Sequence, residues 1–496
     1  MTAYDELERR FRRLHALDGA ISVLGWDQAT MMPAGGNDAR AEQLATLSVV
    51  RHEILVDPAM SDLLAAARAT PPADPWPAAN LREMRRVWRH ANALEPKLVE
   101  ARSRAASLCE MRWRQARADD DYASLMPLLG EMLAITRQVA AAKAEAFACA
   151  PYEALLEEYE PGGRIATIDR LFADLAAFLP SVVDEARRRQ AAQGRPSPPA
   201  GPFPLAAQRD LGIRLMEALG FDFKHGRLDV SLHPFTGGVP DDVRITTRYA
   251  DADFSRALMG VLHETGHALY ERGLPAAWRG QPVGEARGMA THESQSLLIE
   301  MQVCRGREFL GYLAPLLRQA FAGAGPYWRD DNLARFFTKV EPGLIRVDAD
   351  EVTYPLHIIL RYRLERALLA GDLALADLPG AWRQGMKDLL GIDVPTDKDG
   401  CLQDIHWPSG SFGYFPTYTL GAMAAAQLFA AAKAADAAIA PGIARGDFGP
   451  LSAWLKAKVH GRGSFDPTTD ALLVEATGQP LGAAAFEAHL CERYLA

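Results

Sequence analysis

The chain has 496 residues, 49% of them hydrophobic and 24% charged, with a formal net charge of −9. That composition supplies a full globular core, and it excludes disorder as a description of the whole chain. An acidic chain without a basic block also argues against a nucleic-acid partner.

The N-terminus, MTAYDELERRFRRLH, is charged where a secretion signal would be apolar, so none is expected. Leu7, Phe11, Leu14 and Leu17 recur at helical steps. Ala91 to Ala148 is rich in Ala, Leu, Arg and Glu and predicts two or more long helices. Gln193 to Pro204, QGRPSPPAGPFP, holds five prolines and predicts a surface loop near 193–204. Two strands are expected next, RLDVSLHPF from Arg227 to Phe235 and DVRITTRY from Asp242 to Tyr249. The TGGVPD between them has turn chemistry, which predicts a small hairpin. Tyr414 to Ala432 is the most membrane-like stretch. It contains Pro416, Thr417, Thr419 and Gln427 in a mostly alanine body, so a buried helix is expected there and no membrane span.

Leu258 to Gly273 contains His263-Glu264-Thr265-Gly266-His267, an H-E-x-x-H pattern. On a helix, histidines four residues apart are separated by about 40° of rotation, so one metal can touch both. Glu264 lies near the same side, placed to take a proton from water. Apolar residues flank the motif, and Gly273 and Pro275 follow as stop signals. The downstream Gly and third His of the extended pattern are absent, with Tyr270 and Gly273 in those places. The third ligand must come from elsewhere. Glu293, in the helical run that starts at Thr291-His292-Glu293, follows His267 by 26 residues, enough for a loop and a second antiparallel helix. Two His and one Glu form a hydrolytic zinc set with an open position. Glu293 could instead be a helix N-terminal carboxylate, and His292 is a competing ligand or a polar neighbour. Cobalt or manganese could substitute for zinc. Cys109, Cys149, Cys304, Cys401 and Cys491 form no C-x-x-C pair, so they are read as bystanders in a reducing cytoplasm.

At this point the chain resembles the carboxypeptidase Taq family of zinc metallocarboxypeptidases. The resemblance rests on LGWDQATMMP (Leu24 to Pro33), D-x-R-x-T at Asp242 to Thr246, the zinc helix and H-E-S-Q at His292 to Gln295. It continues with I-R-x-x-A-D at Ile345 to Asp350 and G-x-x-Q-D-x-H-W at Gly400 to Trp407. It implies a mainly α fold, similar to angiotensin-converting enzyme and neurolysin: one large helical body, 1–496, with a deep central cleft and a small β-hairpin or sheet. It also implies a cytoplasmic homodimer that removes C-terminal residues from peptides with broad tolerance. Length alone suggested about three domains, whereas the expected chemistry spans 242–418. For a developing oxyanion, His406 is the first candidate donor, with Tyr414 and Tyr418 after it. For a substrate's free α-carboxylate, Arg346 is the first candidate and Arg244 the alternative, since a guanidinium binds both oxygens. Either arginine could instead serve a structural ion pair, Arg346 with Asp348 or Asp350 and Arg244 with Asp242. A zinc oligopeptidase lacking a carboxylate clamp, and a helical scaffold with a structural metal, are the competing readings. An aminopeptidase is disfavoured, because no G-x-M-E-N-like segment precedes the zinc helix.

Overall fold

The computed structural model describes residues 2–496. The fold is mostly helical with one three-stranded sheet. Its contacts divide it into two compact units, each assembled from three stretches of chain. The first comprises Met1–Ala91, Pro196–Phe337 and Ala424–Leu481; the second comprises Asn92–Arg195, Thr338–Met423 and Gly482–Ala496.

In the first unit, the helix Ala3–Thr30 opens with a capping box in which Thr2 and Asp5 satisfy each other's backbone N–H groups. Three residues of its predicted stripe are buried, while Leu17 is half-buried: Leu7, Phe11 and Leu14 pack with Leu55, Met60, Leu64, Leu81 and Met84 of the three helices that follow. A second cluster fixes the motif helix, Phe254–Gly273. Val261 and Ala268 on that helix pack with Val243 and Ile245 of the sheet and with Met216 and Phe221. Asp253 caps this helix by accepting from the Ser255 N–H at 2.8 Å.

The sheet differs from the predicted hairpin. It has strands β1 (Gly226–Val230), β2 (Phe235–Val239) and β3 (Asp242–Thr247), in the order β1-β3-β2. The segment read as a turn is mostly strand, and the expected first strand stops at Val230, with residues 231–234 outside any strand; Pro234 offers no N–H to a ladder. β1 runs parallel to β3, with Leu228 opposite Ile245. β2 runs antiparallel to β3, with Thr236 opposite Ile245. Gly238 has φ +91°, and a Cβ there would lie 2.0 Å from the Asp242 carbonyl oxygen, so only glycine fits.

The segment leading into the helix Met289–Leu297 is tied down by a buried ion pair. Arg287 Nη1 and Nη2 each lie 2.9 Å from a Glu83 oxygen, and Nη1 also donates to the Asp466 carbonyl at 2.9 Å. Burial pushes the Glu83 carboxyl up, but the charges of Arg287, Arg86 and Arg82 outweigh it and hold it down at about 2. A carboxylate depressed in the folded state contributes stability that is complete above its unfolded pKa. That contribution is expected to be lost as pH falls from about 4.5 toward 2. Thermal melts through that window should show Glu83→Gln with a shallower acid dependence than the parent, and equal slopes would remove Glu83 as a contributor.

In the second unit, the long alanine- and leucine-rich region resolves into the helices Pro96–Asp119 and Tyr122–Phe147. The helix Ile165–Gln193 extends to the first residue of the expected loop, and the chain becomes helical again at Leu205 in the first unit. The apolar stretch after Tyr414 forms the helix Pro416–Ala435, of which residues 416–423 belong to the second unit and 424–435 to the first. Among the described residues, no helix is long and apolar enough to cross a membrane.

Candidate metal centre

Two helices of the first unit build the centre. The motif helix supplies His263, Glu264 and His267. The helix Met289–Leu297, which continues as a π-helical turn over Leu298–Val303, supplies His292, Glu293 and Glu300. Gly266 allows the two helices to meet: a Cβ there would sit 2.4 Å from the Gln295 carbonyl oxygen and 2.6 Å from the Ser296 Cα. Close approach brings the Glu293 carboxylate within 3.5 Å of His267 Nε2 and 3.9 Å of His263 Nε2. One donor atom from each of His263, His267 and Glu293 lies within 4.8 Å of the others, the one such group of three among the described residues.

The other nitrogen of each histidine is held from behind. His263 Nδ1 lies 3.0 Å from Glu300, whose other oxygen accepts from Arg305 at 2.8 Å. His267 Nδ1 lies 2.6 Å from His292 Nδ1, and His292 Nε2 lies 2.8 Å from Glu271. If His267 Nε2 serves a cation, its Nδ1 carries the proton and donates to His292 Nδ1, and His292 donates onward to Glu271. His292 therefore stands behind His267 as its hydrogen-bond partner, outside the three-residue group. Burial opposes charging His263, but Glu300 and Glu293 overcome it and push the imidazole up to about 10. Burial also pushes Glu293 up, and the His267 hydrogen bond and nearby histidines bring it down to about 2. Such a pocket attracts a cation. Two imidazole nitrogens and one carboxylate oxygen, oriented from behind, are the donor chemistry of a catalytic divalent site.

Glu264 stands apart from this group. Its Oε2 accepts a hydrogen bond from Thr236 Oγ1 on β2 at 2.6 Å. The sheet thus positions the candidate base as well as backing its helix.

Of the remaining predicted residues, Arg244 lies in the first unit on β3. Its guanidinium pairs with Asp242 at 2.6–3.1 Å and lies 4.3 Å from the Trp26 ring centroid. Arg227 is 4.8 Å from the same ring, so the tryptophan of the LGWDQATMMP segment is flanked by two cations.

Arg346, His406, Tyr414 and Tyr418 come together in the second unit. Arg346 pairs not with Asp348 or Asp350 but with Asp404, at 2.9 and 3.0 Å, and also donates to the Tyr354 hydroxyl at 3.0 Å. Arg361 reaches the other Asp404 oxygen at 2.6 Å. The aspartate of one predicted motif is therefore clamped by the arginine of another. His406 Nε2 lies 3.1 Å from the Tyr418 hydroxyl, and its ring packs on Phe415 with centroids 4.4 Å apart. Burial, aided by the charge of Arg346, lowers His406 to about 3, so its imidazole is neutral. Tyr414 packs on Tyr418 at 5.2 Å and Tyr159 at 5.0 Å. Glu365 anchors this segment by accepting from Trp407 Nε1, the Gly413 N–H and the Tyr152 hydroxyl at 2.7–2.8 Å.

The family model described as carboxypeptidase Taq (M32) metallopeptidase matches residues 6–494. The chain belongs to this family. It is a metallocarboxypeptidase by that membership, and its His-His-Glu group is where a divalent metal fits. The chain is 40% identical to the thermostable carboxypeptidase 1 of Thermus thermophilus over 515 residues, covering 100% of this chain and 98% of that one. Its fold is similar to that of the Trypanosoma cruzi metallocarboxypeptidase 1, with a TM-score of 0.97, 40% identity and 99% of each chain covered. It is also similar to the M32 carboxypeptidase from Deinococcus radiodurans, with a TM-score of 0.94, 35% identity and coverage of 99% and 98%. The mainly α, zincin-like expectation therefore holds, with its hairpin enlarged to three strands.

Sequence reasoning missed Glu271, Glu300 and Thr236 in this M32 site. Glu271 was within reach, since it sits four residues after His267 on the same helix face. Glu300 lay in an apolar run, LLIEMQV, that reads as core.

Proposed function

We propose that this protein is a zinc-dependent carboxypeptidase that releases C-terminal residues from peptides with broad side-chain tolerance. The observation that carries this reading is the convergence of His263, His267 and Glu293, with Glu264 held beside them by Thr236. When bound, zinc supplies Lewis-acid polarisation and lowers the pKa of water to about 7. The chain's own residues do the rest. Glu264 takes the proton of the attacking water and delivers it to the leaving amine. His406 donates to the oxygen that gains charge, supported by Tyr418 or Tyr414. A neutral imidazole has one N–H, so this role requires the tautomer with the proton on Nε2.

Arg346 is proposed to engage the substrate carboxylate, with Arg244 as the alternative. Arg346→Ala is then expected to raise KM for free-carboxylate peptides roughly ten- to hundredfold, the worth of a hydrogen bond to a charged group. Amidated peptides should be far less affected, and equal losses on both would leave Arg346 with its structural pairing to Asp404 alone.

The chain is further proposed to act as one catalytic domain over 1–496, as a homodimer on the family resemblance, and in the cytoplasm. The five cysteines form no disulfide among the described residues, which supports a reducing compartment. Digestion of one unblocked peptide by the zinc-loaded protein, followed by mass spectrometry, tests the activity. A ladder shortened from the C-terminus is expected. Internal fragments would favour an endopeptidase, and an intact peptide would favour a scaffold.

A further inference from the structure

The motif helix has a second concave surface. Leu269 lies on roughly the opposite side of the helix axis from His263 and His267. With Gly266 and Gly273 it lines a cavity of about 470 Å³, contained wholly in the first unit. Ile299, Phe448, Leu451 and Leu455 give the cavity apolar walls. At its polar floor, His460 Nε2 lies 3.0 Å from Gln295 Oε1, and both side chains are buried. Arg272, Arg279 and Lys456 stand among its lining residues, and no carboxylate does among those described. The nearest counter-charge on the two arginines is shared: Asp241 accepts from both Arg272 and Arg279. Three cations against one carboxylate leave a net positive lining, with Lys456 exposed to solvent.

These features specify a ligand class. The volume is that of a small-molecule site, the walls reward burial of hydrocarbon, and the cations favour one anionic head. A group carrying an ammonium would meet like charge there. We infer that this cavity binds a small amphiphilic monoanion, an aliphatic chain ending in a carboxylate, at a site separate from the metal centre.

Decanoate is a suitable probe, titrated calorimetrically into the zinc-loaded protein with peptide turnover followed in parallel. One decanoate per chain is expected to bind without raising KM for peptide. Ser452→Trp should fill the cavity from the helix Gly449–Lys458. Lys456→Glu reverses an exposed charge and tests the same site without touching the core. Each variant should weaken decanoate at least tenfold while turnover without decanoate stays at the parent level. No binding, equal binding in the parent and Lys456→Glu, or decanoate raising KM as a competitor of peptide would each overturn the inference.

Discussion

Glu264→Gln is expected to lower kcat by roughly a hundred- to ten-thousandfold, the range for a positioned general base, while metal content stays at the parent level. The geometry separates these two effects. Glu264 is outside the three-donor group, so an amide in its place removes no ligand. Glutamine keeps a carbonyl oxygen able to accept from Thr236 Oγ1, so the side chain can remain where the 2.6 Å bond holds it. What disappears is basicity, because an amide cannot take the proton of an attacking water. Since that proton moves in the transition state, kcat and kcat/KM should fall together with KM little changed. Steady-state kinetics alongside elemental analysis checks both halves. Hydrolysis within a fewfold of the parent would reject Glu264 as the base, whereas loss of metal would show that it also ligates.

The same contrast explains what the sequence disclosed. His263, Glu264 and His267 were legible because their relation is local: helical geometry alone brings residues four apart to one face. Glu293 needed one further step, a loop and a returning helix, and its spacing permitted that. Gly266 was a signal left unread: its missing side chain is what lets the second helix reach the metal face. Long-range partners had no such signature. Arg346 has Asp348 and Asp350 nearby in sequence, yet its partner is Asp404, brought close only by the fold of the second unit. Thr236 was hidden because its segment, with two glycines and a proline, has the composition of a turn. Its strand exists because β3 and the motif helix give it a surface to pair with and pack on. Alternation identifies a strand, but the pairing direction of β1 and β2 with β3 is set by tertiary contacts.

Removing a ligand should act differently from removing the base. Glu293→Ala is expected to abolish stable metal binding, with activity falling to the level of the metal-free protein. Glu293 provides the one carboxylate oxygen of the donor group, and its charge offsets that of the cation. Two imidazoles alone leave the ion with half of a four-coordinate shell and no negative ligand. Alanine at 293 also leaves His267 Nε2 without its 3.5 Å neighbour, so added metal should rescue little at micromolar concentration. Glu300→Ala is the informative comparison. Glu300 touches His263 only at Nδ1, so its loss should weaken metal binding about 10–100-fold, the usual effect of losing such a support. High metal concentration should then restore activity. Metal titration monitored by turnover and by elemental analysis distinguishes the two variants. Full metal content in Glu293→Ala would expel Glu293 from the ligand set, whereas equal, unrescued losses in both would mean that Glu300 and Glu293 act as a single unit around the cation.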